Sequence, residues 1–350
     1  MDRSEIIQLL QTSGEPMQEL MHRAKDVRDQ TVGNGVYFRG LVELSNLCAK
    51  DCLYCGIRKS NLTVGRYELP DEAVLEACRF ALDQGFGSVV IQSGELSTPS
   101  FVDRVDRLLQ QIKALSDGRL GITLSCGEQS EQTYRRWFNS GAHRYLLRIE
   151  ASNPELYRKL HPADSFHAYE RRIKSLQRLR ETGFQLGTGV MIGLPFQTLE
   201  DLADDLLFFQ QMDIDMCGMG PYIEHADTPL YMHRNLLLPL ETRFELSLKM
   251  IAILRLMMPD INIASSTALQ AIVPNGREQG LLAGANIIMP NLTPTQYRDG
   301  YLLYANKPGL DSDAIATTRH LVESVAAAGC TLQLNAWGDS LRFARRNEQD

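Results

Sequence analysis

The stretch VYFRGLVELSNLCAKDCLYCGIR, residues 36–58, joins two unlike halves. Residues 36–44 are rich in β-branched and aromatic side chains, which predicts a strand. The remainder is a polar loop holding Cys48, Cys52 and Cys55. A strand that delivers a ligand-bearing loop at its C-terminal end is the signature of α/β folds, whose sites are built there.

Seven further short apolar runs follow: GSVVIQSG (87–94), LGITLSCG (120–127), HRYLLRIE (143–150), FQLGTGVMIG (184–193), DMCGMGPY (215–222), INIASST (261–267) and ANIIMPN (285–291). Most are separated by segments of helical period. These include DEAVLEACRFALDQ stopping at Gly85, and LEDLADDLLFFQQM with Thr198 as its cap and Asp201 three residues on. Alternation of this kind predicts parallel strands with right-handed crossovers. Eight of them predict an α/β fold of the (βα)8, TIM-barrel type. A doubly wound open sheet is the rival, but no GxGxxG follows the first strand. The expected organisation is an N-terminal helical extension over residues 1–35, broken near Gly14 and Pro16, then a barrel over 36–320. A short C-terminal extension over 321–350 packs on the barrel.

Composition narrows the function. Lys and Arg number 36 against 43 Asp and Glu, a net charge of −7, which argues against nucleic-acid binding. No apolar run is long enough to span a bilayer. The start, MDRSEIIQLLQTSGEP, has early charges and no apolar signal core. The cytoplasm is therefore expected, where clustered cysteines bind metal or do chemistry more often than they form disulfides.

The spacing is Cys-x3-Cys-x2-Cys with Tyr54 before the last. Three thiolates suit zinc, Cu(I) or an iron–sulfur cluster, and structural zinc wants four protein ligands. Cys78, Cys126, Cys217 and Cys330 form no second tight pair. Cys78 reads as a buried helix-face residue. A [4Fe–4S] cluster with one iron unclaimed by protein fits best, because an open iron can chelate a small molecule.

This motif resembles the radical S-adenosylmethionine (SAM) superfamily, where CxxxCxxC with an aromatic before the last Cys is the defining feature. The resemblance implies one cluster on Cys48, Cys52 and Cys55. Its free iron binds SAM, whose reductive cleavage releases a 5′-deoxyadenosyl radical. Ser93-Gly94-Glu95 stands where the superfamily has GGE, with Ser in place of the first Gly. GVMIGLPFQT (189–198) matches the stretch along adenine and ribose. Longer stretches, among them YCGIR, IQSGE, RYLLRIEASNPELYRKLHP, AIVPNGRE and GANIIMPNLTPTQYRDGYLLY, are similar to the HydE family of [FeFe]-hydrogenase maturases, within the biotin-synthase-like group.

By that resemblance, Tyr54, Gln92, Ser93, Gly94, Glu95, Ser125, Arg148, Glu150, Arg172, Met191, Gly193 and Leu194 contact SAM. Thr123, Arg144, Ser266, Thr267, Tyr301 and Tyr297 line a substrate or anion cavity. The implied substrate is a small organometallic iron complex carrying cysteine, CO and cyanide, attacked at the cysteine sulfur. HydG and HydF are the implied functional partners, with an external electron donor. No nucleic acid or membrane is involved. No residue is assigned a catalytic role. Some HydE proteins carry a second cysteine triplet near the C-terminus; here that region, NKPGLDSDAIATTRH, has none, so one cluster is expected.

Plainer readings stand beside these. Arg172 lies in the charge-rich ERRIKSLQRLRE, consistent with a solvated helix face. The Ser and Thr residues suit turn caps, and Tyr301 and Tyr304 suit half-buried helix aromatics. His143, His161, His167 and His225 show no paired ligand spacing; His225 in IEHADTP is the best placed for the cavity. Another biotin-synthase-like enzyme, such as a methylornithine-synthase-like mutase or a HydE paralogue, is the nearest alternative. A cluster carrier or zinc-binding interaction module is the non-enzymatic one.

Overall fold

The computed structural model describes residues 1–311 and 313–348. Its frame is eight parallel strands: β1 (Gly35–Ser45), β2 (Ser88–Ser93), β3 (Gly121–Ser125), β4 (Arg144–Leu146), β5 (Gln185–Thr188), β6 (Met216–Cys217), β7 (Asn262–Ile263) and β8 (Ile287–Ile288). They pair in the order β8-β1-β2-β3-β4-β5-β6-β7. A parallel bridge between Ala264 and Ile287 joins the two ends, so the sheet closes into the expected barrel.

Alternation along β1 separates two environments. Val36, Phe38, Val42 and Leu44 join the main apolar core with the surrounding helices. Arg39 instead reaches across the barrel to Met216 Sδ at 2.9 Å, and the Glu43 carboxylate pairs with Lys307.

Several strands are shorter than the sequence suggests. The run 184–193 becomes β5 and a separate pair of residues, Met191–Ile192, which bonds to Gly220–Pro221 beyond the barrel proper. The cause is a close crossing between them: a Cβ added to Gly189 would come within 2.6 Å of the Gly218 carbonyl carbon. Local helix signals hold well. Gly183 ends the helix Tyr169–Thr182 at φ 101°, and Thr198 with Asp201 forms the capping box of Leu199–Gln211.

Two N-terminal helices, Arg3–Gln11 and Glu15–Thr31, pack on the helices Leu199–Gln211 and Leu240–Met257. The C-terminal segment does more than cover the outside. Strand β9 (Thr331–Gln333) pairs with the start of β1, and the following loop plugs the N-terminal mouth of the barrel. Arg39 and Asn262 both donate to the Gly338 carbonyl, at 2.9 and 2.8 Å. The helix Ala314–Ala327 runs across the boundary expected at 320/321. Among the described residues no helix is long and apolar enough to cross a membrane.

Candidate active site

The loop after β1 is held from several sides. Arg66 clamps it by donating to the carbonyls of Asn46 (2.7 Å), Ile57 (2.8 Å), Arg58 (2.6 Å) and Asn61 (3.0 Å). Ala49 N–H donates to the Glu95 carbonyl at 2.8 Å, and Glu95 N–H points at Cys48 Sγ at 3.3 Å. Gly94 is obligatory for this contact, since a Cβ there would lie 2.9 Å from Cys48 Cβ and 2.7 Å from the Leu47 carbonyl carbon. Gly56 has the same role on the other side, where a Cβ would come within 2.9 Å of the His225 ring. His225 is thus a neighbour of the loop, and its Nδ1 accepts from Asp227 N–H at 3.1 Å.

Segment 160–167 closes the outer side. Leu53 N–H donates to the Leu160 carbonyl at 2.9 Å, and Asp51 N–H to His167 Nε2 at 2.9 Å. His161 stacks on Tyr157 with ring centroids 3.9 Å apart and meets Tyr54 edge-on at 5.5 Å. Burial, with Arg172 nearby, pushes the His161 imidazole down to about 3, so it stays neutral.

The three thiols lie close enough to oppose one another's ionisation. Burial first, and neighbouring Cys48 and Glu95 against the pull of Arg172, push Cys52 up to about 12. Cys55 is raised by burial and by both partner cysteines. Three thiolates here require a positive core between them. Three free cysteines on one loop are a donor set that suits a [4Fe–4S] cluster with one iron left without a protein ligand.

A charged network adjoins it. Lys50 contacts Glu95 at 3.5 Å and Glu128 at 3.0 Å. Glu128 also receives Arg171 (2.6 Å) and Arg172 (2.7 Å), and Arg172 donates to the Arg148 carbonyl. Burial alone would raise Glu128, but Arg172 and Lys50 prevail and hold it down to about 2. Glu95 is raised by burial and by the charge of Glu128. Arg172 is buried, not a solvated face. Neither Lys50 nor Glu128 was among the residues expected to contact SAM; Glu128 stood out in the sequence only as a polar residue following β3, and Lys50 only through its place in the cysteine loop.

Arg148 and Glu150 form an ion pair at 3.0 Å at the end of β4, with Glu150 at φ 66°. Glu150 N–H donates to the Gly189 carbonyl at 3.0 Å, so the ends of β4 and β5 are tied together. Beside them Tyr54, Met191 and Leu194 gather with Leu53, Ala151 and Tyr222 in a small apolar cluster. An apolar face beside an ion pair suits a nucleoside with a charged tail. Gly193 and Leu194 N–H both donate to Gln197 Oε1, at 2.7 and 3.1 Å. That stretch therefore offers surface rather than amide donors.

Inside the barrel, Tyr301 is buried and its hydroxyl accepts from Gln92 Nε2 at 3.3 Å. Ser125 stands beside Gln92 in register, and the Ser93 hydroxyl bonds the Gly94 carbonyl at 2.8 Å. Ser266 Oγ is buried without a partner among the described residues, and Thr267 Oγ1 accepts from Arg277 at 3.0 Å. Three expected cavity residues, Thr123, Arg144 and Tyr297, are engaged elsewhere. Arg144 sits at the plugged mouth, bonded to Thr123 Oγ1 (3.1 Å), the Trp337 carbonyl (3.0 Å) and Asp339 (2.5 Å), which already balances its charge. Tyr297 is half-buried against Tyr67, ring centroids 5.2 Å apart.

Comparisons with known proteins agree with this geometry. The Radical SAM superfamily family model matches residues 42–209. The chain is 44% identical to the [FeFe] hydrogenase maturase subunit HydE of Thermotoga maritima, over 82% of this chain and 79% of that protein. It is 27% identical to 3-methylornithine synthase of Methanosarcina acetivorans, over 83% and 79%. The crystal structure of methylornithine synthase superposes with a TM-score of 0.79 at 24% identity, covering 95% of this chain and 94% of that one. Fold and site together define a radical SAM enzyme, a class that carries a [4Fe–4S] cluster and uses SAM. Within that class the chain belongs to the HydE family.

Proposed function

We propose that this protein is a maturase of the [FeFe]-hydrogenase H-cluster. The observation that carries this is the 44% identity to HydE, which extends over four-fifths of the chain and so over far more than the cysteine motif. Cys48, Cys52 and Cys55 would hold the single cluster. Glu95, Arg148, Glu150 and Arg172 would hold the polar end of SAM, with Gln92, Ser93, Gly94 and Ser125 beside it. Tyr54, Met191, Gly193 and Leu194 would offer its nucleoside an apolar surface. Held there and reduced, such a cluster would supply the electron for cleavage of SAM.

The chain's own residues enclose that chemistry. The loop clamp, the ring of strands and the plugged lower mouth exclude water from a species that would react with solvent-exposed groups. The substrate is an iron complex carrying cysteine, CO and cyanide, attacked at the cysteine sulfur. Ser266, Thr267 and Tyr301 are hydroxyl donors that orient such an anion without competing as metal ligands. HydG and HydF are the functional partners, and an external donor supplies electrons. One cluster per chain is supported by the burial of Cys78, Cys126, Cys217 and Cys330 in the core.

The second reading is a radical mutase, which the 27% identity to 3-methylornithine synthase favours. Hydrogenase activation in a maturation mixture lacking only this protein separates the two: restored activity supports the maturase, and none supports the mutase. Cys48→Ala, Cys52→Ala and Cys55→Ala should each abolish SAM cleavage, whereas Cys78→Ala should not.

A further inference from the structure

A second cavity of ≈ 180 Å³ opens beside the ends of β7 and β8, against the helix Ala314–Ala327. Its walls include Leu41, Thr267, Arg277, Asn291, Lys307 and Thr317. Thr267 is also one of the expected substrate-cavity residues.

Arg277 dominates the chemistry of this space. Its residue is 7% exposed, and among the described residues only Nη2 has a partner, Thr267 Oγ1 at 3.0 Å. Its Nε and Nη1, and the hydroxyl of Thr317, are buried with no hydrogen-bond partner among the described residues. None of the described lining residues is Asp or Glu. Of the other lining side chains that can carry positive charge, Lys307 is already committed to Glu43 and to the Tyr301 carbonyl at 3.0 Å, and His320 is exposed. A buried guanidinium with unfilled donors is costly, and native structures rarely leave one uncompensated. A guanidinium is also the group best matched to a planar two-oxygen anion.

We propose that this cavity is a binding site for a small carboxylate, no larger than an amino acid, with Arg277 as its counter-ion and Thr317 as a second donor. The volume sets the size limit. It holds about six waters at ~30 Å³ each, well short of the 300 Å³ or more of pockets for drug-sized ligands. Among the described lining residues Arg277 is the one buried positive charge without a carboxylate partner, which matches a monoanion better than a phosphate dianion. The shared wall at Thr267 places the ligand next to the substrate cavity. Its placement as a side chamber rests on the maturase reading, but its binding does not.

The test is equilibrium binding of acetate, alanine and inorganic phosphate to the cluster-reconstituted protein, without turnover. Saturable one-to-one binding of acetate or alanine is expected, weakened at least tenfold by Arg277→Gln and measurably by Thr317→Val, with SAM affinity unchanged. Replacing an unpaired buried cation by a neutral amide should leave thermal stability intact. If Arg277→Gln fails to fold, Thr317→Val alone decides. No saturable binding by the wild type, equal affinity in the variants, or preference for phosphate overturns the assignment. Hydrogenase activation is read separately, so failure of this site leaves the maturase reading untouched.

Discussion

Replacing Glu128 by Gln removes the one carboxylate shared by Lys50, Arg171 and Arg172. Its carboxyl stands at about 2 against an ordinary 4.5. A depressed folded value contributes stability that is complete above about pH 4.5 and lost as pH falls towards 2. At about 1.4 kcal/mol per pH unit, the shift corresponds to about 3 kcal/mol at neutral pH. Breaking a buried pair by removing one partner costs about 3–5 kcal/mol, which agrees. Lys50 and Arg172 would be left buried with Glu95 as the remaining carboxylate between them, and burial holds that carboxyl back from ionising. Urea unfolding of the cluster-free chain, followed by tryptophan fluorescence, should show a markedly lower midpoint for Glu128→Gln at neutral pH. The gap should narrow by more than half near pH 3, because much of the wild-type contribution has gone by then. An unchanged midpoint at neutral pH, or a gap independent of pH, would refute the reasoning.

Two further substitutions probe separate parts of the molecule. Gly94→Ala drives a Cβ against Leu47 and Cys48; it should reduce iron content after reconstitution by more than half while far-ultraviolet circular dichroism stays native, and full iron loading would contradict the packing. Asp205 accepts Ser152 N–H at 2.7 Å through one oxygen, the other has no hydrogen-bond partner among the described residues, and burial pushes its carboxyl up to about 7. Because the folded value is raised, the wild type should lose stability relative to Asp205→Asn as pH rises from about 4 to about 7. Parallel thermal-unfolding curves for the two proteins across that range would show the burial to be relieved.

Much of the fold was legible in the chain because it rests on local signals. Strand and helix periods, Gly183 as a left-handed stop and the Thr198–Asp201 box all act within one or two turns of chain. Eight strands in alternation then leave few topologies. Strand lengths were less legible, since β6, β7 and β8 each keep two residues of longer apolar runs. What shortens a strand is contact with another part of the chain, as where Gly189 crosses Gly218.

The site divides along the same line. The spacing of Cys48, Cys52 and Cys55 is covalent information, and with Tyr54 it is what makes the loop resemble those of the radical SAM superfamily. The sequence by itself also determined the family, because the matching stretches lie at many strand ends. Only the tertiary structure decided how charge is shared. It brings Lys50, Glu95, Glu128 and Arg172 together from four separate segments, and it turns Arg172 inward from a helix that reads as solvated. It also spends Arg144 on Asp339, nearly 200 residues away in sequence. Ionic partners across such separations follow no periodicity; burial in a shared low-dielectric space selects them, and that space exists only once the barrel has closed.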